Sequence, residues 1–170
     1  MTKHDIEVPT TTVDPTDLVA IETAFRDGAQ IRLAQGDSEA LRGQINDRLL
    51  DTQSLDELLA TFASPTPAEL VLGRALAVRN VYLLPSDEAY ADDGRLGIYA
   101  VIDAVEVETG EVMRVSCGGQ SVVMALVHLA RLVREGKVTK DPVLCIVRSE
   151  RPTRAGYYPL NLAKPIAGEF

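Results

Sequence analysis

The feature that most restricts this chain is a change of hydrophobic period on either side of one proline-rich break. Before Ser64-Pro65-Thr66-Pro67, apolar residues recur at helical spacing; beyond Leu72 they run as β-branched, apolar and tyrosine stretches divided by turn residues. Proline at 65 and 67 cannot continue a helix and biases the residue before it to extended geometry, so the first pattern has to stop there. The chain therefore reads as helices first and an α+β module after. Its 170 residues suit one domain with an appendage better than two full domains.

Residues 1–15 are rich in Thr, Asp and Pro, show neither period, and read as a flexible arm. Thr16 is placed to cap a helix over residues 17–27, where Leu18, Ile21, Ala24 and Phe25 share a face and Gly28 follows as a stop. Gly36, Asp37 and Ser38 open a second helix running to about Leu50, and Ser54 starts a third that ends near Phe62, with Asp56 and Glu57 in its first turn. These helices are acidic. Residues 1–73 hold 13 Asp/Glu against 5 Lys/Arg, which accounts for the whole net charge of -8. The expected divisions are an arm at 1–15, an acidic helical region and linker at 16–66, a folded module at 67–165 and a short tail at 166–170.

In that module, residues 74–84, 96–107 and 111–117 read as three strands, the last two joined by Glu108-Thr109-Gly110 as an antiparallel hairpin. Gly118 and Gly119 break the sheet, residues 120–135 carry a wide apolar helical stripe ended by Gly136, and residues 143–148 and 157–162 are strands four and five. Three strands, a helix and two strands is the element order of an OB-like five-stranded barrel (β-β-β-α-β-β), a Greek-key fold that binds oligonucleotides or oligosaccharides on a sheet face and its loops. The expected fold class is α+β of this kind.

No enzyme constellation is legible, and the chain is read as a non-enzyme without cofactor or metal. His128 lies among Leu126, Val127 and Leu129 on the helix and reads as a packed or rim histidine; Asp103 and Glu106 on one strand fall on opposite faces. Glu88, Asp92 and Asp93 lack the spacing of a calcium loop, and the Ser116-Cys117-Gly118-Gly119 turn lacks the Lys-Ser/Thr ending of a P-loop. Cys117 and Cys145 sit among apolar neighbours as small hydrophobes, too few for a disulfide scaffold. The longest apolar stretch, residues 122–132, is too short for a membrane span, and no greasy segment follows the N-terminus, so a cytoplasmic location with no membrane partner is expected.

The distribution of tyrosines and arginines points instead to nucleic acid. There is no Trp, and all five tyrosines lie beyond residue 73. Arg79 stands near Tyr82, Arg114 lies on the hairpin partner of the Tyr99 strand, and Arg148, Arg151 and Arg154 lead into Tyr157. Residues 143–164 carry a local net charge of +3 despite the acidic whole. Cations that follow phosphates and flat rings that stack on bases are what sequence-tolerant single-strand binding requires. The loop Arg-Pro-Thr-Arg-Ala-Gly has little to bury, so its charges must face water or a ligand, and Tyr158 shares strand parity with Leu160 and Leu162, leaving Tyr157 as the outward ring. Arg79, Tyr82, Tyr99, Arg114, Arg148, Arg151, Arg154 and Tyr157 are thus the candidate nucleic-acid contacts, read as one groove closed by the last hairpin.

The runs Tyr99-Ala-Val-Ile-Asp-Ala-Val-Glu-Val-Glu-Thr-Gly-Glu, Val115-Ser-Cys-Gly-Gly and Thr153-Arg-Ala-Gly-Tyr-Tyr-Pro-Leu resemble OB-like single-stranded DNA-binding accessory proteins of actinobacterial phages, prophages and plasmids. The resemblance spans residues 74–165. It implies a barrel and a single-stranded DNA partner, with RNA left open, and a replication or recombination role. A second reading uses the acidic residues 16–66 to dock on a basic host or replication protein, and a homo-oligomer stays open.

Overall fold

A computed structural model of the chain describes residues 9–34, 55, 59, 64–86 and 97–166. The second helix expected from Gly36 and the acidic loop with Glu88, Tyr90, Asp92 and Asp93 fall outside these residues, as does most of the third helix, of which Leu55 and Leu59 are helical and exposed. The remainder is a mixed α+β structure: two α-helices on a curled six-stranded sheet, with a small two-stranded sheet beside it.

The chain begins with β1 (Thr10–Val13), α1 (Leu18–Arg26) and β2 (Gln30–Leu33). Thr10–Val13 is a strand where the sequence suggests a flexible arm; it pairs in parallel with β2, Val13 opposite Leu33. Asp17, not Thr16, caps α1, its carboxylate accepting the Ala20 N–H at 3.0 Å, because the Thr16 hydroxyl donates to Asp14 at 2.6 Å. At the other end Gly28 takes φ +70, its N–H donating to Phe25 O and that of Ala29 to Ala24 O, a Schellman stop at the glycine expected to provide one.

The large sheet holds β3 (Thr66–Pro67), β4 (Leu76–Pro85), β5 (Ile98–Glu106), β6 (Val112–Cys117), β7 (Val143–Arg148) and β8 (Leu160–Ala163), in the spatial order β3-β6-β5-β4-β7-β8. Six strands form rather than five because Thr66 and Pro67, expected in the linker, add a short parallel strand to the edge of β6. The other pairings are antiparallel. A proline blunts that edge, since it has no N–H to offer a further strand.

Helix α2 (Gln120–Arg134) buries Val122, Val123, Leu126 and Val127 against one face of the sheet. On β5 that face is Ile98, Ala100, Ile102, Ala104 and Glu106, all buried, and Met113, Val115 and Cys117 of β6 continue it. Ile21, Ala24, Ile31 and Leu33 of the β1-α1-β2 unit join the same cluster, so the N-terminal unit is built into the core. Gly97, at φ +78, marks the close approach of β2: a Cβ there would overlap the Ile31 carbonyl oxygen. Burial of large aliphatic side chains at about 1.5–3 kcal/mol each makes this shared cluster the main source of stability.

Candidate nucleic-acid interface

The face of β4-β5-β6 turned away from α2 carries four of the expected contacts. Register places Leu84 opposite Tyr99, Tyr82 opposite Val101 and Val101 opposite Ser116, then Asn80 opposite Asp103 and Asp103 opposite Arg114. Arg79 is the extra residue of a β-bulge between Val78 and Asn80. Two residues on β4 then oppose the single Asp103, which turns Arg79 as well as Asn80 toward that row. Tyr82, Tyr99 and Arg114 therefore share one face, with Arg79 beside them.

That face is neither open nor strongly basic. Tyr82 and Tyr99 are half-buried and Val101 between them is 1% exposed. Arg114 donates from Nε to Asp103 Oδ1 at 2.9 Å, the two side chains being 19% and 23% exposed. A guanidinium already facing a carboxylate presents little net charge to a phosphate.

The β7-β8 hairpin has the opposite character. Arg148 pairs with Leu160, and residues 149–159 form the loop between them. Ser149 N–H donates to Pro159 O at 2.7 Å, Thr153 N–H to Tyr157 O at 2.8 Å and Gly156 N–H to Thr153 O at 2.9 Å, so the loop is a laddered finger with Arg154 at its tip. Gly156 takes φ +84 there, as a type I turn closed by a left-handed glycine requires. Arg148, Arg151 and Arg154 are exposed, and among the described residues none has a carboxylate partner. Tyr157 is 62% and Tyr158 48% exposed. Tyr158 thus does not face the core as strand parity suggested: β8 begins at Leu160, two residues later than alternation needs.

The two groups lie in different directions. β7 meets β4 only at Leu76↔Leu144 and Ala77↔Val143, and being antiparallel it runs to Arg148 while β4 runs to Tyr82. At about 3.3 Å per residue the two are on the order of 30 Å apart measured along the strands. The eight expected residues form two sets instead of one groove under the hairpin.

Other titratable groups have structural work. His128 is an exposed rim residue with Nδ1 2.9 Å from Glu22 Oε1, and Arg131 Nε donates to Glu22 Oε2 at 3.1 Å, tying α2 to α1. Burial opposes the Glu22 charge, yet its bonds to His128 and Arg131 win and hold the carboxyl below the ordinary glutamate range. Burial, then the Glu69 carboxylate, push the Cys117 thiol up to about 12, and burial raises Cys145, so both cysteines stay protonated and unreactive. Asp103 and Glu106 do lie on opposite faces; Glu106 is instead bound by Thr109 Oγ1 at 2.8 Å and Arg74 at 3.6 Å. Among the described residues no three His, Cys, Asp or Glu gather as a metal site, and no helix is long and apolar enough to cross a membrane. Comparison with protein-family models, curated proteins and solved structures finds no match for this chain.

Proposed function

We propose that this chain is a non-enzymatic single-stranded nucleic-acid-binding protein, built on an OB-like barrel and contacting phosphates through the β7-β8 finger. The observation that carries the reading is the finger itself: three exposed arginines without carboxylate partners among the described residues, beside two exposed tyrosine rings on one laddered loop. Such a surface complements a polyanion with stackable bases. The path β6-β5-β4-β7-β8, with α2 between the third and fourth of these strands in chain order, supports the barrel assignment.

In this reading binding is electrostatic capture followed by stacking, and no bond in the strand is made or broken. The rival docking role for the acidic region loses part of its apparatus, because the apolar stripe of α1 is already spent on the core through Leu18, Ile21 and Ala24. Fluorescence anisotropy of labelled single- and double-stranded oligomers across a salt series tests the proposal. Preferred binding to the single strand, weakening steeply as salt rises, is the expected result; a flat salt response or no binding at low salt would overturn it.

A further inference from the structure

The arginines of the finger are not carried alike. Ser149 Oγ accepts the Arg151 N–H at 3.3 Å and donates its proton to the Arg151 carbonyl oxygen at 3.1 Å, so one side chain holds both polar groups of the Arg151 backbone. A hydroxyl suits this task because it is at once a donor and an acceptor. Pro152 constrains the other side, since its ring locks its own φ and keeps the residue before it out of the helical region. Ser149 is in turn tied to the opposite limb of the finger by its own N–H, which donates to Pro159 O at 2.7 Å. Arg154 differs: it lies in the turn, where the ladder bonds belong to its neighbours Thr153 and Gly156. An arginine whose backbone is set before the ligand arrives loses less freedom on binding, and ordering a flexible contact costs a complex roughly two- to tenfold in affinity per side chain. The two Ser149 side-chain bonds are exposed and local, and the backbone ladder supports the finger without them, so their loss should cost the fold little.

We infer that Ser149 is a positioning residue for phosphate binding: through its two bonds it presets Arg151 and makes that side chain, rather than Arg154 at the tip, the principal phosphate anchor of the finger. The inference rests on the nucleic-acid reading above and adds to it a residue that acts through Arg151 and not by touching the strand.

The test titrates the full chain and its variants by fluorescence anisotropy against a labelled dT oligomer of about 16 nucleotides, the upper end of site sizes for one such module. Ser149→Ala is expected to weaken binding by roughly two- to tenfold, Ser149→Thr to restore it, and Ser149→Ala to have no further effect once Arg151→Ala is in place. A serine that merely held the finger together would weaken binding by the same factor with Arg151 present or absent, because Arg154 and Tyr157 would be displaced too, and that result would overturn the inference. So would native affinity in Ser149→Ala, or a larger loss from Arg154→Ala than from Arg151→Ala. If Ser149→Ala melts early, Ser149→Val and Ser149→Thr replace it, two side chains of closely similar shape of which only the second has a hydroxyl; equal affinity in that pair would overturn the inference as well. Each of these outcomes, with the native chain bound and salt-dependent, leaves the proposed function standing. Absence of binding by the native chain at low salt would overturn both.

Discussion

The sheet face and the finger hold the same residue types, arginine and tyrosine, in opposite physical states. On the sheet, Arg114 is one-fifth exposed and bonded to Asp103, and the tyrosines are half-buried over a strand whose other side is core. On the finger, the arginines have no carboxylate partner among the described residues and Tyr157 is mostly in water. Counting residue types along a sequence gives these positions equal weight. Partnership separates them: a paired cation has spent its field locally, and an unpaired one keeps it for a ligand within a Debye length of about 8–10 Å.

The largest expected effect asks whether stability belongs to the sheet and not to the finger. Ile102 is fully buried beneath the row that holds Tyr82 and Asp103, and Ile102→Ala should cost about 2–5 kcal/mol in a denaturant titration. The Arg151→Ala and Arg154→Ala pair should change stability by less than about 0.5 kcal/mol. Similar losses in both would abolish the distinction.

Next comes stacking. Tyr157→Ala should weaken single-strand binding by about 1–3 kcal/mol with the salt slope unchanged, because a ring carries no charge to exchange with counterions. Tyr158→Ala is expected to do the same to a smaller degree, as that ring is less exposed. An unaltered affinity in both, with the fold intact, would remove stacking from the finger.

The double arginine variant sharpens the contrast on the charge side. Loss of two single-strand phosphate contacts should lower the salt slope by roughly 1.4, at about 0.7 per contact, with a similar weakening for every sequence. Between 50 and 200 mM salt the lost dependence amounts to about sevenfold in affinity. A folded variant with unchanged affinity and slope would mean the finger is not the phosphate contact.

Much of this layout can be read from the residues, and the misses have identifiable causes. The Glu108-Thr109-Gly110 turn determines the β5-β6 register, so Asp103 opposite Arg114 follows by counting outward from it, a cross-strand pairing that spacing along β5 alone does not reveal. The bulge at Arg79 also leaves a trace: core positions on β4 switch from even, at Leu76 and Val78, to odd, at Val81 and Leu83. Strand β2 shows alternation in Ile31 and Leu33, but over four residues it is too short to stand out from the helical text around it. The docking of β1-α1-β2 on α2 is not legible at all, since it depends on residues more than a hundred positions apart, Glu22 with His128 and Arg131.

That docking supplies the smallest effect and a third state of charge, neither spent on a neighbouring strand nor held out to solvent, but used to join two helices. Glu22 is 12% exposed and meets Arg131 Nε at 3.1 Å, while Arg131 also donates to Glu135 at 2.8 Å and Arg134 to the Thr16 carbonyl at 2.8 Å. Its carboxyl titrates lower in the folded chain than in the unfolded one, so the stability it contributes is fully present above the unfolded value of about 4.3 and is lost as pH falls through the folded value. Glu22→Gln should therefore cost at most about 1 kcal/mol at pH 7 and flatten the acid limb of a stability-versus-pH curve below about pH 4.3, where native chain and variant converge. Nucleic-acid affinity at neutral pH should not move, since these groups lie on the helix side of the sheet. Parallel acid limbs in the two proteins would show that the α1-α2 bridge carries no net stabilisation and that apolar contact alone seats the N-terminal unit.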